Sequence, residues 1–254
     1  MPAENNQPSN RRPRLQGLDA KALLAVGLEA TEGAGQQPNN NPTEQTSRTK
    51  WIVGVLLIGL AVIVGILVRP KQTEPTDLLT SFDTRRALQR GDWQKHDQAL
   101  ESTHPDQVAM MSLTSASLGD SYDILFEFTR LSGDKSVALF FRTPQGMGSL
   151  EFDTWEQPGL SGVQIFDDAD LRQSGAFHFL IENGKSYEFH LEVRPDDIQV
   201  LHQGKLLHSY PLSGRRLSVS SPWYWSEEWN NTTLALGSWH SPTRFSKVTL
   251  TRIR

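Results

Sequence analysis

The hexapeptide EFDTWE sets three carboxyl groups, Glu151, Asp153 and Glu156, in the spacing E-x-D-x-x-E. Acids paired in this way suit glycoside hydrolysis. The retaining chemistry needs two carboxyl groups roughly 5 to 5.5 Å apart, one as nucleophile and one, with a raised pKa, as acid and base. Side chains alternate along a regular strand, so Glu151, Asp153 and Trp155 share one face and Leu150, Phe152 and Thr154 the other. Glu156 then points away from Glu151, and only a β-bulge near Thr154 and Trp155 would bring it back. The Gln-Pro-Gly that follows predicts instead that the strand ends at Glu156 and turns. The competing reading is two acids on a solvated strand face and a third in a turn.

A second stretch, SPWYWSEEWNNTT, places Trp223, Tyr224, Trp225 and Trp229 within seven residues, with Glu227 and Glu228 between them. Sugars present apolar C–H faces to flat rings and hydroxyls to nearby carboxylates, so this composition suits a carbohydrate site. The alternative is a long loop that caps the end of a sandwich with its own aromatics. The run FDDAD offers Asp167, Asp168 and Asp170 as hard oxygen ligands for calcium, without the spaced Gly and distant bidentate Glu of a dedicated calcium loop. A solvated acidic loop is the competing reading. No cofactor is expected beyond that candidate ion, and neither a Gly-rich phosphate loop nor a G-x-S-x-G elbow occurs.

The elements that must hold these residues are unevenly distributed along the 254-residue chain. Residues 1–50 contain no aromatic side chain and are rich in Asn, Gln, Pro and Gly, which predicts a disordered cytoplasmic tail. Within it, LDAKALLAVGLEA at 18–30 has the composition of about three helical turns. Residues 51–69 carry WIVGVLLIGLAVIVGILV, eighteen uncharged residues followed by Arg69. As a helix they reach roughly 27 Å, the thickness of bilayer hydrocarbon. Arg48, Lys50 and Trp51 on one side and Arg69 and Lys71 on the other suit the two interfaces. The expectation is a single-pass anchor with the C-terminal domain extracytoplasmic.

Residues 70–90 read as a linker with a short helix over LLTSFDTRRALQR, and 91–254 as an all-β domain. In YDILFEFTR, Tyr122, Ile124, Phe126 and Phe128 share one face; in YEFHLEVR, Tyr187, Phe189, Leu191 and Val193 do. VAMMSL, SVALFFR, GSLEFDTW, GVQIF, DIQVLHQ, KLLHSY, LALGSW and FSKVTLTRI add further strands between turn signals such as ENGK and HQGK. About a dozen strands at this spacing imply an antiparallel sandwich or jelly roll. From residue 72 onward there are 24 acidic against 17 basic side chains, which argues against a nucleic-acid partner. Cys is absent, so disulfide and thiolate chemistry are excluded.

The order GDWQKHDQALES, YDILFEFTRLSGDKSVALFFR, GVQIFDD, NGKSYEFHLEVRPDDIQVLHQGKLL and LALGSWHSPTRFSKVTLTRIR resembles bacterial concanavalin A-like, LamG-type modules. It is similar to the 3-keto-disaccharide hydrolase domain, with Gln203, Gly204 and Lys205 where that family has Asp-Gly-Lys. EFDTWE itself resembles the catalytic strand of the laminarinase-like glycoside hydrolases, which implies Glu151 as nucleophile, Asp153 as its assistant and Glu156 as acid/base. The resemblance implies a concanavalin A-like jelly-roll sandwich. Joined to the span, it leads to a membrane-anchored module displaying a glycan- or protein-binding surface, with a hydrolase acting on glycosides or 3-keto-glycosides as the alternative.

Overall fold

Period-two alternation needs one face in the core and one in water, and the strands at Tyr122–Arg130 and Ser186–Val193 obey it. The computed structural model describes residues 71–80, 82–85, 87–154, 158–220 and 223–254. The predicted tail at 1–50 and span at 51–69 lie outside the described residues. Among those described, no helix is long and apolar enough to cross a membrane.

In chain order the strands begin with β1 (Thr76–Asp77), β2 (Gln89–Arg90), β3 (Trp93–His96), β4 (Ala99–Ser102), β5 (Val108–Thr114) and β6 (Tyr122–Arg130). Next come β7 (Val137–Thr143), β8 (Gly146–Phe152), β9 (Leu160–Val163), β10 (Ile165–Phe166), β11 (Ala169–Asp170), the one-turn helix α1 (Leu171–Ser174) and β12 (Phe177–His178). Last are β13 (Ser186–Val193), β14 (Asp197–His202), β15 (Lys205–Pro211), β16 (Leu217–Ser218), β17 (Leu234–Trp239) and β18 (Thr243–Arg252).

These strands form two sheets. One runs β15-β14-β13-β6-β18-β4-β3, with β1 also on β18. The other runs β11-β10-β16-β8-β7-β17-β5-β2, with β9 on β8 and β12 on β9. Among the described pairings only β16 with β8 is parallel. Neighbours such as β6 and β18 are far apart in sequence, so the chain crosses between sheets as a jelly-roll-like sandwich does. Between β14 and β15, Gln203 and Gly204 both have positive φ, +51° and +73°, which gives a two-residue hairpin the twist of its strands.

The core lies between the sheets. Tyr122, Ile124, Phe126 and Phe128 from β6 and Tyr187, Phe189, Leu191 and Val193 from β13 point into it, as the alternation predicted. Facing them are Leu139 and Phe141 of β7, Leu150 and Phe152 of β8, and Leu234 and Leu236 of β17. The outer face of the β6 sheet stays wet and carries ion pairs. Lys247 meets Glu188 at 3.0 Å, Arg194 meets Asp123 at 2.7 Å, and His190 lies 3.7 Å from Glu192.

Two sequence expectations change. The helix predicted over 78–90 is not present: its described residues are turns and extended chain ending in β2. The end of this stretch is instead drawn onto β5, where the Leu88 carbonyl accepts the Ser112 N–H and Gln89 and Arg90 pair with Met111 and Met110. The strand expected to run to Glu156 stops at Phe152, where Asp153 turns into the left-handed region at φ +50°.

Phe152 is fully buried, with ring centroids 4.3 Å from Phe189 and 5.4 Å from Phe128. Phe152→Ala should cost about 3–5 kcal/mol, read as a lower denaturant midpoint with an unchanged slope.

Candidate functional site

The β7 sheet has a second apolar face. Met110, Ala138, Phe140, Met147 and Ala235 point outward from β5, β7, β8 and β17 and form a small separate cluster with Trp223 and Trp229. The covering element is the aromatic-rich segment between β16 and β17, which includes a 3₁₀ turn at Glu227–Trp229. Trp223 comes close to the sheet at Gly237. A methyl group there would stand 2.6 Å from the Phe140 ring and 3.0 Å from the Trp223 ring, so the absence of a side chain lets the indole lie down. Phe140 meets Trp223 edge-on at 5.1 Å.

Glu151 lies under this cover. Its side chain is oriented outward from β8, as alternation required, yet the residue is only 2% exposed. Trp223 Nε1 donates to one carboxyl oxygen at 2.8 Å and the Ser149 hydroxyl to the same oxygen at 2.9 Å. Gln164 Nε2 and the Thr154 hydroxyl donate to the other at 3.1 and 3.2 Å. Burial pushes its pKa up, and the four hydrogen bonds pull in the opposite direction. All of these partners are uncharged.

Asp153 has a separate environment. The left-handed turn carries it to the end of the sandwich, where it is 4% exposed and holds Arg130 Nη1 at 2.8 Å. Its other oxygen accepts the Gly159 N–H at 2.6 Å. Glu151 and Asp153 are thus sealed in two networks, which corrects their placement on a solvated strand face and removes them as outward carboxylates. Glu156 and Trp155 lie outside the described residues.

The aromatic segment divides its rings between inside and outside. Trp223 and Trp229 are each 1% exposed and belong to the scaffold. Trp225 is half-buried, 5.4 Å from Phe140 and 5.5 Å from Trp229. Tyr224 is 63% exposed, its ring nearly parallel to Trp239 at 6.5 Å, with the Arg90 guanidinium 5.7 Å from its centroid. Arg90 Nη1 also donates to the carbonyls of Trp223 and Tyr224 at 2.8 and 2.9 Å, which clamps the segment to β2. Glu227 and Glu228 are exposed on the same segment, and Glu228 accepts the Ser226 hydroxyl at 3.1 Å.

The calcium candidates meet arginines. Asp167 accepts from Arg215 Nε at 3.0 Å and from the Arg216 backbone N–H at 2.7 Å, Asp168 pairs with Arg216 at 2.6 Å, and Asp170 caps α1 and binds Arg172. Hydrogen bonds from these partners lower the pKa of Asp167 and Asp170. Among the described residues no group of three His, Asp or Glu is placed to hold a metal ion.

Sequence reasoning missed a cavity of about 310 Å³ at the sandwich end, floored by Arg130, Asp153 and Asn183. Arg130, the last residue of an alternating strand, gave no local signal of it. A second cleft of about 470 Å³ lies between the 78–88 segment and the edge at β5, lined by Phe82, Leu113, Thr114 and Glu228 among others.

No family model matches the sequence, and no curated protein matches it either. Among solved structures, the chain resembles the carbohydrate-binding module CBM66 from Bacillus subtilis, with 17% identity over 71% of this chain and 96% of that one, at a TM-score of 0.44. It also resembles a Bacillus subtilis protein of unknown function with a galectin-like fold, with 8% identity, 73% and 97% coverage and a TM-score of 0.47. The Crh5 transglycosylase in complex with NAG shares 9% identity over 72% of this chain and 84% of that one, at 0.46. Likenesses this distant carry no argument about ligand or chemistry, which rest on the geometry above.

Two outcomes follow from the covered face. The folded-state pKa of Glu151 is raised, so the folded protein holds this proton more tightly than the unfolded chain does. Its stabilising contribution is present at low pH and is lost as pH rises from about 4.3 through the raised value. Wild type should therefore lose stability relative to Glu151→Gln as pH rises above about 4.3 in urea titrations; a constant difference would show that the carboxyl group does not behave this way. Gly237→Ala should cost about 1–3 kcal/mol by lifting Trp223, with a shift in indole fluorescence.

Proposed function

We propose that the chain is a membrane-tethered, non-catalytic glycan-binding module, anchored by residues 51–69 with its β-sandwich outside the cytoplasm. The observation that carries the non-catalytic half is the seal on Glu151. A retaining carboxylate must reach the anomeric carbon and share a cleft with a second acid. Here Trp223 lies over the carboxyl group, its four hydrogen-bonding partners are all internal, and Asp153 is turned away into a buried ion pair.

The binding half is supported by what the same segment leaves outside. Tyr224 is a flat ring braced by Trp239 and Arg90, on a segment that also exposes the Glu227 carboxylate. A braced ring loses little freedom when a sugar face stacks on it, so more of the contact energy appears as affinity. The anchor is supported by the eighteen uncharged residues and their basic, aromatic flanks. It would tether the module to the membrane and favour a ligand displayed at the cell envelope.

The test is a glycan array probed with the full chain in a zwitterionic detergent free of sugar headgroups. Wild type should retain oligosaccharides that mass spectrometry finds uncleaved after prolonged incubation, and Tyr224→Ala should weaken retention about tenfold. Cleaved products, or no retention of any glycan, would overturn the reading. Membrane fractionation checks the anchor: removal of residues 51–69 should release the protein from the pellet.

A further inference from the structure

We infer that the cavity over Arg130 and Asp153 is a second binding site, which takes one neutral, polyhydroxylated ring such as a terminal sugar. It stands apart from the Tyr224 surface and shares no residue with it.

The argument begins with the hydrogen-bonding capacity of the floor. A guanidinium has five N–H donors. Arg130 donates three hydrogen bonds, Nε to Asn183 Oδ1 at 2.7 Å, Nη1 to the Lys135 carbonyl at 3.2 Å and Nη2 to the Ile181 carbonyl, and Nη1 also lies 2.8 Å from Asp153 as an ion pair. One Nη2 proton has no acceptor among the described residues. A carboxylate offers about four lone-pair positions. Asp153 meets only the Gly159 N–H and Arg130. The floor of the cavity therefore keeps both a spare donor and spare acceptors on two charged residues that are 5% and 4% exposed. A hydroxyl group donates once and accepts, so vicinal hydroxyls match that set, whereas a pure acceptor or pure donor satisfies half of it.

Charge points the same way. The cationic Arg130 and Lys135 are balanced by the anionic Asp153 and Asp134 around the cavity, and Lys135 lies 3.7 Å from Asp134. Among the described lining residues the formal charges cancel, so these residues give neither an anion nor a cation a Coulombic advantage. The lining also includes the apolar side chains of Pro158, Ile181 and Leu180, the last 52% exposed although it is a large hydrocarbon side chain. A sugar ring presents C–H groups as well as hydroxyls, and a lining that is part polar and part apolar suits both. The volume of about 310 Å³ is at the low end of ordinary ligand pockets, about 300–1,000 Å³, which suits one ring rather than a chain lying along a groove. Positioning is already provided, since Asn183 is fixed by donating to the Gly133 carbonyl at 2.8 Å while it accepts from Arg130.

The test titrates the full chain in the same zwitterionic detergent with the methyl glycosides of glucose, galactose, mannose and fructose, read by saturation-transfer NMR. Glucuronate and glucosamine serve as charged controls. Arg130 and Asp153 hold the fold together, so the variants are the exposed Leu180→Glu and Asp134→Ala. At least one neutral glycoside should bind wild type and Tyr224→Ala equally. Both cavity variants should weaken that binding about tenfold, and the charged controls should bind less well than the neutral ring. The inference is overturned if no neutral glycoside binds, if the charged sugars bind better, or if the cavity variants leave binding intact. Loss in Tyr224→Ala alone would overturn it too, while leaving the glycan-binding reading of the aromatic surface standing.

Discussion

An antiparallel sheet can leave one face in water only if that face is polar, and the outer face of the β7 sheet is not. Met110, Phe140 and Met147 point away from the main core and need a cover. Trp223 supplies it by lying on Gly237, and its indole N–H needs an acceptor once buried. Glu151 is that acceptor. Burying a carboxyl group without a cation is costly, and Ser149, Thr154 and Gln164 offset the cost by saturating its remaining lone pairs. The aromatic segment, the acid and the outer cluster are thus one construction, and removing any part exposes a cost in the others.

Two acids one residue apart illustrate how local backbone decides chemistry. Glu151 sits in regular strand geometry and points where alternation sends it. Asp153 would have followed it to the same face, but at φ +50° the chain leaves the strand and the carboxylate meets Arg130 instead. Asp tolerates the left-handed region better than most residues. One side chain is therefore held by neutral donors and the other by a guanidinium. A single backbone dihedral thus separates Glu151 from the residue that the resemblance would make its assistant.

Legibility followed solvent exposure. β6 and β13 border water on one side, so YDILFEFTR and YEFHLEVR alternate cleanly, and their inward residues could be named from the sequence. β7 is dry on both sides, and VALFF shows no alternation because no position there is free to be polar. That unbroken run, together with the small residues Ala235 and Gly237 in LALGSW, was the signal that something covers the outer face. Glu151 carried no comparable mark: an outward acid on a strand reads as solvated unless the cover is known. FDDAD failed for a different reason, since its partners Arg215 and Arg216 lie about 48 residues further on and local spacing cannot reveal them.

The division of surfaces limits where a ligand can act. The outer face of the β6 sheet is occupied by ion pairs among side chains that would have to be desolvated to make room. The outer face of the β7 sheet is closed by Trp223 and Trp229. What remains accessible with built geometry is the periphery: the Tyr224 ring above the cover, the cleft beside β5, and the cavity at the turn where Asp153 leaves its strand. A sandwich with both broad faces committed to its own stability must recognise other molecules through its loops and ends. Those are the regions where backbone departs from strand geometry: Asp153 and Tyr224 adopt the left-handed region at φ +50° and +52°, the first turning into the buried pair with Arg130 beneath the end cavity and the second presenting an exposed ring.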